Sequence, residues 1–150
     1  TLQGLGVAIA TNPAWERGMG TSIRAGVAEA LATGADAVLI ALGDQPLVDA
    51  AAFDRLVERM DAGDVLAVAS GYGDTLGAPA LFSRQLADRL LAVGDAQGCK
   101  QLLLEVDRER PGQLAVVPCP EAASDVDTPE DLERARALLS QAQNDEGPLL

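Results

Sequence analysis

Four short segments, "VAIAT" (7–11), "AVLIAL" (37–42), "VLAVAS" (65–70) and "LAVVP" (114–118), are unbroken apolar runs. A strand wetted on one face alternates apolar and polar residues, so an unbroken run implies a strand covered on both faces. "APALF" (78–82) is a weaker fifth run. Between the runs lie helical patterns. Apolar residues fall at Ile23, Val27, Ala30 and Leu31, at Phe53, Leu56, Val57 and Met60, and at Leu86, Leu90 and Leu91. The spacing recurs at Leu102, Leu103 and Val106 and at Leu132, Ala135, Leu138 and Leu139, and it is that of one helix face. The first of these patterns is expected to begin near Thr21. Asp49, Ser83 and Thr128 stand where N-caps are needed, Gly98 precedes a helix, and Gly34 and Gly63 suit helix ends. Pro129 takes a first-turn slot where no N–H is missed.

Strand and helix alternate throughout, which predicts one α/β domain with a mostly parallel sheet and helices on both faces. The domain is expected over residues 1–140, with 141–150 a flexible C-terminal tail that carries no apolar pattern. No internal repeat, low-complexity tract or linker interrupts it. The core has an unusual constraint: apolar residues are 48 % of the 150-residue chain but aromatics only 3 %. Packing must therefore rely on Ala, Val and Leu.

Charge and composition then exclude several function classes. The net charge of −12 repels phosphate backbones and anionic lipid, so neither nucleic acid nor a membrane surface is an expected partner. A surface this acidic handles phosphates through a metal ion. The chain has no histidine, which removes Ser-His and Cys-His nucleophile systems and histidine-ligated metals. Its two cysteines, Cys99 and Cys119, read as small hydrophobes in a reducing cytosol, one disulfide being the alternative. No apolar run reaches membrane-spanning length and no basic region precedes an apolar start, so a soluble cytoplasmic protein is expected.

The segment "LIALGDQPLV" carries the first chemical signal. Ligands in open α/β sheets sit beyond the carboxyl ends of the strands, and Asp44 stands there. Gly43 lets the chain turn sharply, and Pro46 stiffens the exit. A hard oxygen ligand on a stiff support suits Mg²⁺; the plain alternative is an Asx turn. A second acidic stretch, "SDVDTPEDL", places Asp125 and Asp127 as alternate residues before a helix, able to point to one side. Thr128, Glu130 and Asp131 explain the helix start without them.

Taken together, "GMGTSIRAGV", "LIALGDQPLV", "GAP", "GDAQGCKQLL" and "DVDTPEDL", in this order, resemble the nucleotidyltransferases of the molybdenum-cofactor family, the MobA-like NTP transferases. The branch they look most like is that of molybdopterin cytidylyltransferase. The resemblance runs from about Asn12 to Leu139, and its specificity lies in the ordered set. It implies a Rossmann-like nucleotidyltransferase fold and Mg²⁺-dependent nucleotidyl transfer from an NTP, CTP in this branch, to a phosphorylated acceptor such as molybdopterin, with release of pyrophosphate. It implies Asp44 and Asp127 as the catalytic metal ligands, with Asp125 supporting them from one step further out. Gly18, Met19, Gly20, Thr21, Ser22 and Arg24 would meet the nucleotide base. Gly77, Pro79, Asp95, Gly98 and Lys100 would lie toward the acceptor. A molybdoenzyme or its chaperone is the protein partner such an activity would serve.

The physics of the reaction agrees with that reading. Attack of a phosphate oxygen on an α-phosphorus brings two anions together, so catalysis consists mainly of positioning and charge neutralisation. A cation held by two carboxylates does both without a histidine.

Two departures stand against it. Family members open with a glycine-rich loop of the kind "LAAG.S.RMG..K", whereas "TLQGLGVAIA" contains no basic residue. The chain, which opens at Thr1, is expected either to lack the family's first βαβ unit or to be a degenerate relative. In "GDAQGCK" one residue is inserted and Cys99 replaces alanine, so Asp95 and Lys100 read equally as a polar turn and a helix start. The rival functional class is a non-catalytic nucleotide- or pterin-binding module of the same fold. Motif order disfavours a haloacid-dehalogenase-type phosphatase, since its nucleophile motif would come first and "DVDT" comes last. Expressed alone from Thr1 to Leu150, the chain is expected to bind Mg²⁺ weakly and to show no pyrophosphate release with CTP and molybdopterin. Robust turnover would show that the glycine-rich loop is dispensable.

Overall fold

The computed structural model describes residues 4–145, with side chains described as far as Gln141. Its elements are α1 (Met19–Ala32), β1 (Ala37–Ile40), α2 (Ala50–Asp61), β2 (Ala67–Tyr72), β3 (Thr75–Ser83), α3 (Ala87–Leu91), α4 (Cys99–Glu109), β4 (Leu114–Pro118) and α5 (Pro129–Asp145), with short 3₁₀ turns at Trp15–Arg17, Arg84–Leu86 and Pro120–Ala123. The expected caps form. Asp49 accepts from the Ala52 amide at 2.9 Å, Ser83 from Gln85 at 3.3 Å and Thr128 from Asp131 at 3.2 Å.

The α/β class is as expected, but the sheet is mixed rather than mostly parallel. Its strand order is β1-β3-β2-β4. β3 runs antiparallel to both β1 and β2, and β4 alone runs parallel to β2. The reason is the connection between β2 and β3: Gly73 and Asp74 are its whole length, with Tyr72 paired to Thr75. A return that short makes a hairpin, since a parallel crossover needs a dozen or more residues. Gly73 supplies the left-handed backbone (φ +54°) that the turn requires. The weak run at 78–82 is thus the centre of a nine-residue strand.

Side chains alternate across the sheet, and the two inner strands β2 and β3 are covered on both faces, whereas the edge strand β4 leaves Val116 51 % exposed, so its unbroken run is not buried on both sides as expected. Val38, Ala67, Ala69, Ala78, Ala80 and Phe82 meet α1, α3 and α4 through Ile23, Val27, Leu90 and Leu103. On the other face Val68, Leu81 and Ala115 pack with Leu56 of α2. Pro79 in the central strand lies where the ladder is interrupted: the β1 pairing ends at Ala80, and the β2 register shifts between Ala69 and Ser70. Its missing N–H therefore breaks no bond, and the buried Ser70 hydroxyl donates to its carbonyl at 2.7 Å.

Three local expectations change. "VAIAT" is extended but is not a strand; Val7 and Ile9 are 53 % and 69 % exposed. A strand exists only through ladder bonds to a neighbour, and among the described residues this segment makes no backbone hydrogen bond. α1 starts at Met19, ahead of Thr21, with Gly18 as N-cap. α5 continues past Gln141 to Asp145, and residues 1–3 and 146–150 lie outside the described residues.

Phe82 is fully buried and Leu56 nearly so, whereas Val57, next to Leu56 on α2, is 41 % exposed. Phe82→Ala is expected to cost about 3–5 kcal/mol and Leu56→Ala about 2–5 kcal/mol. Val57→Ala should cost less than about 1 kcal/mol. Urea unfolding of the three variants at equal protein concentration checks the order.

Candidate nucleotide and metal site

β1 delivers the chain to Asp44, and the loop that follows is held from behind. Gln45 is 5 % exposed, and its Nε2 donates at 2.9 Å to the carbonyl of Ala122, 77 positions away. The Val126 amide donates to the Asp44 carbonyl, also at 2.9 Å. These two bonds attach the end of β1 to the stretch between β4 and α5. They make Asp44 a spatial neighbour of Asp125 and Asp127, which flank Val126. All three aspartates are exposed, and none of them forms an ion pair with a described residue. Gln45 Oε1 has no hydrogen-bond partner among the described residues.

Other carboxylates nearby are already engaged. The Thr128 hydroxyl, followed by the backbone amides of Thr128 and Asp127, holds the Asp131 carboxyl below its ordinary range. Asp131 thus caps α5. Glu121 has its carboxyl lowered first by the backbone amide of Glu121 itself, and it also receives Arg55 of α2 at 3.1 Å and so fixes the 3₁₀ turn. A cavity of 290 Å³ lined by Asp125, Asp127, Asp131 and Arg134 opens against α5, and Asp44 is not part of its lining. Among the described residues no group of three acidic or cysteine side chains converges on one cation position. The protein therefore offers a pair of carboxylates at most, an arrangement that suits a cation whose other positions go to water and phosphate.

The residues expected at the base and those expected at the acceptor meet each other. Gly18 has φ +129°, and a Cβ there would fall 2.4 Å from the Asp95 carbonyl oxygen. At Gly20 a Cβ would come within 2.0 Å of the Gly94 oxygen. The two glycines of "GMG" thus permit close packing on the 93–98 turn. The Gly20 amide donates to the Asp95 carbonyl at 2.9 Å. Arg24 donates to the Val93 carbonyl and pairs with Asp95 Oδ1 at 2.5 Å, while Arg17 takes Oδ2 at 2.6 Å. The hydrogen bond from Arg24, with Arg17 beside it, holds the Asp95 carboxyl below its ordinary value. Thr21 is buried, and its hydroxyl lies within hydrogen-bond reach of the Gly18 and Ala14 carbonyls. Ser22 stays exposed and accepts from Asn12.

Met19 and Ser22 border a groove of 350 Å³ between α1 and β1, otherwise lined by apolar groups including Ile23, Ile40, Leu42 and Cys99. Gly77 and Pro79 lie on β3, and Lys100, in the first turn of α4, donates to Thr75 at the start of the same strand. Gly98 caps α4 against Met19. Both cysteines are buried free thiols, and burial pushes Cys99 up, so neither is poised as a nucleophile.

Two residues and one contact escaped sequence reasoning. Arg17 acts through a partner distant in sequence and no local pattern marks it; Gln45 stands in "LIALGDQPLV", but its bond to Ala122, 77 positions away, is not visible there. Tyr72, whose hydroxyl is pushed up first by burial and then by the Asp125 charge, is the only tyrosine of the chain, which was the one available signal.

The chain is similar to several known proteins. PucB of Bacillus subtilis (strain 168), a purine catabolism protein, is 31 % identical over 130 residues, which cover 83 % of this chain and 59 % of PucB. The crystal structure of Rv0371c from Mycobacterium tuberculosis H37Rv superposes with a TM-score of 0.58 at 26 % identity, covering 77 % of this chain and 57 % of that one. A manganese complex of Rv0371c gives 0.53 at 25 % identity, covering 76 % and 58 %. Molybdopterin-guanine dinucleotide biosynthesis protein A of Archaeoglobus fulgidus, at 21 % identity, shares the fold with a TM-score of 0.57, covering 83 % of this chain and 64 % of its own. The chain thus spans less than two thirds of the length of each. The sequence model of one family covers residues 1–111, reaching Asp44, the α1 start and the 93–98 turn but not Asp127. By that match, the chain belongs to the MobA-like NTP transferase domain family.

Proposed function

We propose that the protein transfers a nucleotidyl group from an NTP, with CTP as donor, to a phosphorylated acceptor of the molybdopterin type, releasing pyrophosphate. Family membership supports the reaction class. The observation that supports the site is the Val126 amide bond to the Asp44 carbonyl, which joins the backbone of the strand-end aspartate to the residue between Asp125 and Asp127.

Asp44 and Asp127 would hold a divalent cation, Mg²⁺, with Asp125 one step behind. The donor set fits: exposed carboxylate oxygens, unpaired among the described residues and without soft ligands, suit a hard cation. Rv0371c has been crystallised with manganese, an ion with the same preference for oxygen. When bound, the cation would neutralise the triphosphate charge that an acidic protein otherwise repels. The chain's own contribution is position. Gln45 and Val126 hold the Asp44 loop so that its carboxylate needs little reorganisation. The groove beside Met19 and Ser22 offers an apolar wall with a hydroxyl at its rim, the composition of a small-molecule site. Lys100 supplies the basic charge toward which a phosphorylated acceptor would be drawn, near Gly77 and Pro79 of β3.

A second reading, a non-catalytic nucleotide- or pterin-binding module, has one observation in its favour. Arg24, the basic side chain expected at the base, is committed to Asp95 and the Val93 carbonyl.

Calorimetric titration of the intact protein with CTP, GTP and ATP, each with and without Mg²⁺, is the primary test. CTP should bind only when Mg²⁺ is present. Asp44→Asn is expected to weaken that binding at least about tenfold, with Tm unchanged because the side chain is exposed. Pyrophosphate release with CTP and molybdopterin should stop on chelation by EDTA and return with Mg²⁺ or Mn²⁺. Metal-dependent binding with no pyrophosphate from the intact protein would favour the module, and equal binding without metal would overturn the two-carboxylate site.

A further inference from the structure

Asp95 is engaged through every oxygen it carries, although its side chain is still 31 % exposed. Both of its carboxylate oxygens are taken, Oδ1 by Arg24 at 2.5 Å and Oδ2 by Arg17 at 2.6 Å. Its main-chain carbonyl accepts the Gly20 amide, and the neighbouring Val93 carbonyl accepts Arg24. The turn that carries it is closed on itself: the Gln97 amide donates to the Gly94 carbonyl at 2.9 Å, and the Gly94 amide donates to Gln97 Oε1 at 2.8 Å. The two arginines come from opposite sides of the Gly18 cap. Arg17 ends the 3₁₀ turn before it, and Arg24 lies in the second turn of α1 after it. Where the backbones cross, neither Gly18 nor Gly20 has room for a Cβ.

We propose that Asp95 is a positioning residue: by holding Arg17 and Arg24 together it locks the 93–98 turn onto the N-terminus of α1, so that Gly18–Arg24 and Asp95–Lys100 form one rigid rim. Both segments border ligand regions, the first through Met19 and Ser22 on the groove, the second through Lys100 near β3. A rim made of two separately mobile loops would have to be ordered at each binding event, whereas a locked one carries that cost in folding. The charge balance supports a structural use. The chain has only 11 basic residues against 23 acidic ones, and two of the 11 are committed to a single carboxylate.

The ligand consequence rests on the nucleotidyl-transfer reading, while the mechanical coupling does not. Hydrogen exchange of Asp95→Asn and Asp95→Ala, with Arg59→Gln breaking the exposed Arg59–Asp64 pair as control, separates the two. Both Asp95 variants should speed exchange of the amides of residues 18–22 and of 94–98 together, by about tenfold or more in Asp95→Ala, and Arg59→Gln should leave both segments unchanged. Arg24→Ala combined with Asp95→Ala should show little beyond the larger single effect, as expected of one unit.

In calorimetry with CTP and Mg²⁺ and no acceptor present, Asp95→Ala should weaken CTP binding about tenfold, and Asp95→Glu should restore part of it. A residue that only contacts the acceptor would leave that titration untouched. Faster exchange confined to 94–98, or CTP affinity equal to that of the parent, would overturn the proposal. Absence of CTP binding by the parent protein would instead remove the nucleotidyl-transfer reading, and the exchange data would still decide the coupling.

Discussion

The double pairing of β3 is the constraint on which the rest depends. Among the described residues it is the only strand bonded to β1, and through β2 it also holds β4. Its side chains feed both core layers, Phe82 one and Leu81 the other. Because β3 runs antiparallel to β1 and β2, the C-terminal ends of β1 and β2 lie together at the end where β3 enters the sheet. Asp44 follows β1 there, and the stretch leading to Asp127 follows β4, parallel to β2. The strand directions thus gather the acidic residues along one edge, and the bonds from Gln45 and Val126 fix the join.

The candidate carboxylates share the treatment of other exposed acidic residues such as Asp54, Asp74 and Asp107, which also lack ion pairs among the described residues, and differ from the carboxylates that cap helices or join elements. In the caps and in the Arg55–Glu121 and Arg89–Glu105 pairs, carboxylates have partners. Asp44, Asp125 and Asp127 stand exposed without ion pairs among the described residues. The stiff support matters as much as the charge. Gln45, buried with one amide end unsatisfied, spends stability to hold a loop that a polar surface residue would leave loose.

A second economy concerns "GMG". Such glycines invite a ligand-approach explanation, and here they serve a backbone approach to the 93–98 turn instead. The two explanations have the same local requirement, absence of a Cβ, so no sequence pattern separates them. The same holds for Arg24, whose charge would suit a nucleotide as well as it suits Asp95. Both depend on what the fold brings opposite.

The sequence by itself determined the elements whose causes are local. Helix caps at Asp49, Ser83 and Thr128, the two-face burial of "VLAVAS", and the position of Asp44 after a strand all follow from periodicity and side-chain chemistry within a few residues, whereas "LAVVP" is wetted on one face at Val116. The ordered motifs also carried the family. Tertiary structure alone decided strand direction, because the alternation of strand and helix predicts parallel strands and the hairpin between β2 and β3 shows only once the two are paired. It decided that "VAIAT", apolar enough for a strand, has no ladder among the described residues. It decided, too, that Asp95 meets Arg24 across 71 positions, a contact set by how α1 packs beside the 93–98 turn and by nothing in either segment alone.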